Sequence, residues 1–202
     1  NRINKYVIRK ATQGLANYML TFNEKEAKEQ GIIIAHDCRI GSREYALNTA
    51  RVMAANGIKA YIYEDLRSTP ELSFGVRYKG TMAGIVVTAS HNPVEYNGYK
   101  VYWNDGAQVV DPHATLIVDE VNKISTLEEI KVISEEKRKE KGLIIQLDNK
   151  IDDDYIKEIK KQTIISEIQG KESYKIVYTP LHGTGGRPME RILTDFGYSY
   201  EV

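Results

Sequence analysis

One cysteine, Cys38, occurs in the whole 202-residue chain. A lone thiol can form neither a disulfide framework nor a thiolate metal cluster, so stability has to come from packing, as suits a reducing, cytosolic compartment. Long apolar runs are missing too: nothing approaches the roughly 20 residues that span a bilayer. The opening Asn1-Arg2-Ile3-Asn4-Lys5-Tyr6 has neither the apolar core nor the small-residue cleavage site of a secretory signal. Neither sign of charge is in excess, because 28 Lys plus Arg balance 28 Asp plus Glu. Nucleic-acid and anionic-membrane binders ordinarily carry a basic surplus, so neither partner is expected. The one dense charge run, Glu135 to Lys141, mixes both signs and reads as a solvated helix face. No G-x-S-x-G elbow occurs, and no Gly-Lys-Ser/Thr follows the glycines at 183, 185 and 186, which excludes the α/β-hydrolase nucleophile motif and the P-loop. That glycine-rich stretch reads instead as a tight strand-to-helix turn. His113 and His182 have no partner at metal-ligand spacing.

What is present alternates between two periods. Residues 6–29 repeat apolar side chains at helical spacing, with Gly31 placed to stop them. Ile32-Ile33-Ile34-Ala35 is uniformly apolar, as in a strand buried on both faces. Asp37 to Gly41 is a loop, Ser42 is expected to cap the following helix, and Gly57 supplies its left-handed end. Ala60–Tyr63 is the next strand, and Thr69-Pro70 opens another helix with proline at its first position. Gly84–Val87 is a third buried strand. Such alternation predicts a mixed, mostly parallel α/β sheet with helices on both faces. Residues 113–141 read as mostly helical and 151–162 as an amphipathic helix. A strand at 175–178, a helix at 187–196 and a strand from Tyr198 follow. The polar Asp148-Asn149-Lys150 marks the expected boundary between a domain at 1–147 and the truncated start of a similar one at 148–202. That second part is expected to be the less stable, its sheet being incomplete.

Chemistry concentrates in Thr88-Ala89-Ser90-His91-Asn92-Pro93 and Glu95-Tyr96-Asn97-Gly98-Tyr99-Lys100. The segment leaves the carboxyl end of a buried strand, where ligands of open α/β sheets bind. Pro93 keeps Asn92 out of helix, and Asn97-Gly98 is a turn pair that would reverse the chain. The chain would then return as a strand, Tyr99–Trp103, with Lys100 and Tyr102 on one face. Ser90 is a nucleophile candidate, with a loop-capping serine as the local alternative. Side chains adjacent in an extended loop point apart, so His91 is a poor base for a hydrolase triad. Lys100 can return to the loop mouth as a cation that attracts phosphate or moves a proton. Arg39 is a candidate phosphate contact; the competing reading is an Asp37–Arg39 pair that fixes the loop. His36, at a strand end, reads as structural.

Thr88 to Pro93, followed by Asn97-Gly98-Tyr99-Lys100, resembles the phosphoserine loop of the α-D-phosphohexomutases: phosphoglucomutases, phosphomannomutases and phosphoglucosamine mutases. Asp37-Cys38-Arg39 with Ser42-Arg43-Glu44, Thr69-Pro70-Glu71-Leu72, and Lys175 to Gly186 are similar to further family segments, the last in wording closest to the phosphoglucomutase and phosphopentomutase branch. The resemblance implies that Ser90 carries a phosphoryl group whose oxygen coordinates Mg²⁺. It implies that Lys100 is the acid/base or phosphate cation, that His91 shapes the phosphate site, and that Asn97 and Gly98 hold the loop. The family reaction interconverts hexose 1- and 6-phosphates through a sugar bisphosphate, and the branch implies glucose. Pentose, mannose and glucosamine phosphates are the alternatives within the family, and a non-catalytic module binding a phosphosugar or a partner is the alternative outside it.

The family's Asp-Gly-Asp-Gly-Asp-Arg metal loop, its Glu-rich sugar loop and its phosphate loop, all carried by domains III and IV, have no counterpart here. The Gly- and Arg-containing segment that precedes the first helix in the family is missing as well. The chain is therefore expected to be an N-terminal piece that binds Mg²⁺ weakly and does not turn over substrate without domains III and IV of its parent chain.

Overall fold

A computed structural model describes residues 3–134, 142–165 and 168–202. The charge run at 135–141 lies outside the described residues. The chain divides into two compact units, residues 1–147 and residues 148–202.

In the first unit, α1 (Lys5–Gln30) starts where the Asn4 side chain accepts the Tyr6 and Val7 N–H groups. It kinks at Asn23 and stops at Gly31. Then follow β1 (Ile32–His36), α2 (Ser42–Ala55), β2 (Ala60–Ile62), α3 (Thr69–Lys79), β3 (Ala83–Val87), β4 (Tyr99–Trp103), α4 (His113–Lys123) and β5 (Ile144–Gln146). The sheet order is β4-β3-β1-β2-β5. Only the β3–β4 pair is antiparallel. Every residue of β1 and β3 is buried, as the all-apolar runs required.

Alternation within each strand sorts the two faces. Ile32, Ile34, Ile85, Val87 and Trp103 pack with Leu15, Met19, Ala50, Met53 and Ile117, so α1, α2 and α4 cover one face. The other face takes α3. A Cβ on Gly84 would lie 2.4 Å from Val76 Cγ2 and 3.5 Å from Leu72 Cδ1, so helix and strand meet closely there. On the first face, α1 and α4 touch at Gly14, where a Cβ would fall 2.7 Å from the Val121 backbone. His113 has a structural role. Its Nδ1 is 2.6 Å from the Tyr18 hydroxyl, and its ring stacks on Trp103 at 4.4 Å between centroids.

Two local expectations are corrected, and one strand is added. Ser42 does not cap α2. Gly41, at φ 83, is the N-cap residue, and the Ser42 hydroxyl turns back to donate to Asp37 Oδ1 at 2.6 Å. The helix expected over 113–141 stops at Lys123 because Ile124 takes an extended backbone. Glu129 then accepts the Ser125 and Thr126 N–H groups, favouring a short 3₁₀ turn over helix continuation. The edge strand β5, parallel to β2, went unread because three residues at a sheet edge carry too little periodicity.

In the second unit, α5 (Lys150–Lys161) precedes β6 (Lys175–Val177), α6 (Gly186–Asp195) and β7 (Ser199–Glu201). β6 and β7 form a parallel two-stranded sheet in which the end residues of both strands are exposed. No described helix is long and apolar enough to cross a membrane.

Candidate active site

β1 and β3 run side by side in register from Ile32↔Ala83 to His36↔Val87. Their carboxyl ends are therefore neighbours, and the loops leaving them, 37–41 and 88–98, share one rim of the sheet. Ser90 sits on that rim at φ 57, the one non-glycine with positive φ among the described residues. An L-residue held there carries strain unless its surroundings dictate the conformation. The surroundings do so here. The Ser90 N–H donates to Thr88 Oγ1 at 2.9 Å. The Asn92 N–H and side-chain amide both reach the Ala89 carbonyl, at 3.1 and 2.8 Å.

The chain reverses in two turns, closed by Asn92 N–H to the Ala89 carbonyl and by Tyr96 N–H to the Pro93 carbonyl. Asn97-Gly98, expected to be the reversing pair, has already rejoined the sheet, since the Gly98 carbonyl accepts the Thr88 N–H at 3.1 Å. Glycine is needed at 98 for closeness: a Cβ would stand 2.4 Å from the Thr88 carbonyl oxygen. Asn97 ties the loop to the other rim segment, donating to Ser42 Oγ at 2.9 Å and to the Ile40 carbonyl at 3.3 Å.

Ser90 and His91 do not diverge as an extended loop would require. The left-handed backbone at Ser90 brings its Oγ to 3.2 Å from His91 Nδ1, with both residues exposed. Among the described residues no carboxylate bonds His91, so the pair lacks the orienting third group of a hydrolase triad. Lys100 lies on β4 opposite Val86, on the α3 face with Tyr102. Its ammonium group has no hydrogen bond or ion pair to a described residue and so remains available. Next to it, the Tyr99 hydroxyl is 3.0 Å from Thr12 Oγ1. Burial of that hydroxyl end pushes the phenol well up from its ordinary value, against a smaller opposing effect of the hydrogen bonds with Thr12 and Thr49. Tyr99 thus anchors the start of β4 as a neutral group.

Arg39 bridges the two rim segments. Its Nε is 3.2 Å from Asp37 Oδ2. One terminal nitrogen donates to the Pro93 and Tyr96 carbonyls, at 2.7 and 2.9 Å. The other donates to the Ser90 carbonyl at 2.9 Å and to the Asn92 carbonyl. Asp37 is the anchor beneath: its Oδ1 accepts the Arg39 N–H at 2.9 Å as well as the Ser42 hydroxyl. The structure thus joins Ser90, His91 and Arg39 directly, ties Asn97 to the same rim through Ser42 and Ile40, and leaves Lys100 on the adjoining strand. The sequence places Thr88 in the serine segment, offers Asp37 as a partner of Arg39 and marks Ser42 as a cap, but assigns none of the three a role in holding the site. Their signal in the sequence is a carboxylate two residues before an arginine, just past a buried strand, and a threonine two residues before the serine.

Among the described residues no group of three or more His, Cys, Asp or Glu is placed to hold a metal. A hard cation such as Mg²⁺ demands about six oxygens in near-octahedral array.

The sequence model described as phosphoglucomutase/phosphomannomutase, alpha/beta/alpha domain I, matches residues 1–128. The phosphoglucomutase of Staphylococcus haemolyticus is 38% identical over 184 residues, covering 91% of this chain and 32% of that protein. That of Staphylococcus saprophyticus is 36% identical over 197 residues, covering 98% and 34%. The chain therefore spans about a third of the length of these curated relatives. Among solved structures, a phosphoglucomutase/phosphomannomutase family protein from Burkholderia thailandensis superposes with a TM-score of 0.72 at 19% identity, over 98% of this chain and 40% of that one. Parafusin, a phosphoglucomutase from Paramecium, superposes with a TM-score of 0.74 at 21% identity, over 95% and 38%. At these identities the two superpositions speak for the fold alone.

Proposed function

Since the chain belongs to the phosphoglucomutase/phosphomannomutase family, we propose that it carries the phosphoserine of a hexose phosphate mutase, with Ser90 as the phosphoryl carrier. The observation that supports this reading most is the backbone of Ser90. A φ of 57 on an exposed serine at the carboxyl end of β3 is backbone strain of the kind found at functional sites, and it turns the hydroxyl outward beside His91.

Phosphoryl transfer needs positioning and positive charge more than covalent help. In the proposed first step a sugar hydroxyl oxygen attacks the phosphorus on Ser90. A new P–O bond forms to the sugar, the P–O bond to Ser90 Oγ breaks, and the sugar hydroxyl proton passes to a base. The departing Ser90 oxygen takes up a proton, and His91, whose Nδ1 is 3.2 Å from that oxygen, steadies it. Lys100 serves as the cation on the phosphate or as the proton carrier. The resulting sugar bisphosphate turns over in the cleft, and its other phosphate returns to Ser90. Mg²⁺, when bound, would neutralise charge on the transferring phosphoryl group. This chain would supply Ser90's phosphate to it, with the remaining ligands coming from outside these residues. Glucose phosphate is the proposed substrate, supported by the relatives named phosphoglucomutase. The rest of the parent chain, corresponding to domains III and IV, would complete the cleft.

Phosphopeptide mapping of the full-length protein tests this. One phosphate on Ser90, chased off by glucose 6-phosphate with Mg²⁺, is expected, and Ser90→Ala should lower turnover by about 10⁴-fold or more. Undiminished mutase activity in Ser90→Ala would overturn the assignment. A clear preference for a pentose, mannose or glucosamine phosphate would replace the sugar and keep the mechanism.

A further inference from the structure

We infer that Arg39 is a positioning residue that forces Ser90 into its reactive backbone conformation by clamping four carbonyls of the serine loop, and that it is not itself a ligand of the substrate phosphate. The inference rests on the phosphoserine reading for its kinetic consequences and on geometry alone for its structural ones.

Consider the donors first. A guanidinium has five N–H bonds in a rigid planar fork. Here the Nε–H faces Asp37 Oδ2, and the two terminal nitrogens face the carbonyls of Ser90, Asn92, Pro93 and Tyr96. None remains for a phosphate. The side chains of Arg39 and Asp37 are only 11% and 10% exposed, so an incoming anion could not bind the guanidinium without breaking the clamp.

Consider next what the clamp holds. Its four carbonyls belong to residues 90–96, a seven-residue stretch that holds the second reversing turn and all but the first residue of the first. Fixing the carbonyls of residues 90 and 92 fixes the peptide planes on the carboxyl side of Ser90. The Thr88 hydroxyl fixes the amide on its other side. Ser90 is thereby gripped at both flanking peptides, which is the condition for a strained φ to persist. Lysine could not substitute. It is a point charge with three donors, and it cannot span four carbonyls while bonding Asp37.

The test uses the full-length protein and its Arg39→Ala and Arg39→Lys variants. In Arg39→Ala, kcat should fall about 100-fold, the size expected when a reacting group is misplaced by roughly an ångström. KM for the hexose phosphate should move less than about threefold, because no substrate contact is lost. Millimolar guanidinium should restore part of kcat in Arg39→Ala and none in Arg39→Lys. A rise in KM at unchanged kcat would make Arg39 a phosphate ligand and overturn the inference, and so would wild-type turnover in Arg39→Lys. Hydrogen exchange supplies a readout independent of activity. The amides of Ser90, Asn92 and Tyr96 should exchange about tenfold faster or more in both variants, while those of β1 and β3 stay protected. Unchanged protection in the loop would refute the clamp. If the wild-type protein itself failed to phosphorylate Ser90, the mutase reading would fall while the exchange result still decided the role of Arg39.

Discussion

The two units of this chain use the same device, a strand followed by a loop, a helix and a parallel strand, and they treat it differently. In residues 1–147 the strand β1 has a partner on each side and a helical layer on each face, and it is buried along its whole length. In residues 148–202 the strand β6 has β7 as its partner, and its first and last residues are exposed. Val177 at its end is 82% exposed. The loops that follow differ in step. The loop after β1 holds Asp37 and Arg39 in seven side-chain hydrogen bonds and ion pairs, whereas the bonds of the loop after β6 include Leu181 N–H to Thr179 Oγ1 at 3.4 Å and Gly183 N–H to the Pro180 carbonyl. A loop can be held in a strained, functional shape only where the strand ends that carry it are immobilised by burial. The serine loop meets that condition, because β1 and β3, whose carboxyl ends carry the rim, are buried along their whole length.

Cutting into the two sheets at matching places probes this contrast most strongly. Ile34 is fully buried between β2 and β3. Ile34→Ala should cost about 4 kcal/mol in urea unfolding of the 202-residue chain. Ile176, the middle residue of β6, is partly exposed, and Ile176→Ala should cost about 1 kcal/mol or less. Amides of β6 and β7 should also exchange well before those of β1 and β3. Equal losses, or uniform exchange protection, would break the comparison.

Glycine contacts sharpen it at a smaller scale. A Cβ at Gly14 meets the Val121 backbone at 2.7 Å, and neither helix can yield cheaply. Gly14→Ala should destabilise by about 2 kcal/mol. A Cβ at Gly185 meets the Tyr178 hydroxyl at 2.6 Å, but that is the far end of a side chain free to swing aside. Gly185→Ala should stay within about 0.5 kcal/mol of the parent. A larger effect at Gly185 would show that the second unit is packed more tightly than its exposure suggests.

The smallest effect concerns pH. Tyr99 titrates higher when folded than its ordinary 10.0, chiefly through burial. The folded state therefore favours the protonated phenol. The stability it contributes is complete below pH 10 and declines as pH rises beyond that value. Tyr99→Phe should cost about 1 kcal/mol at neutral pH, from the hydrogen bond with Thr12. Its stability should also fall less steeply than the parent's between pH 10 and 11. Parallel pH curves for the two proteins would mean that the Tyr99 hydroxyl is reached by water in the folded state.

Much of the first unit was legible along the chain because its signals are local. Three unbroken apolar runs and the punctuation between them mark strands whatever lies elsewhere, and Thr88 to Pro93 is distinctive as text. The misreadings share one cause. Ser42 looks like a cap until Asp37 is seen to claim its hydroxyl. Asn97-Gly98 looks like a hairpin turn until Thr88 is seen to pair with Gly98. His91 looks badly aimed until the left-handed backbone of Ser90 is known. In each case a hydrogen bond or backbone angle set by tertiary context overrode a sound local preference.

Residue order alone carries the strand and helix periods, the serine motif and the family to which they belong, since each depends on neighbours within a few positions. The grip of Arg39 on carbonyls 51 to 57 residues further along exists only because the sheet order sets β1 beside β3. No local pattern encodes which strands become neighbours. That choice is made by burying both faces of the whole sheet at once, and it places Ser90 within reach of the side chain that holds it.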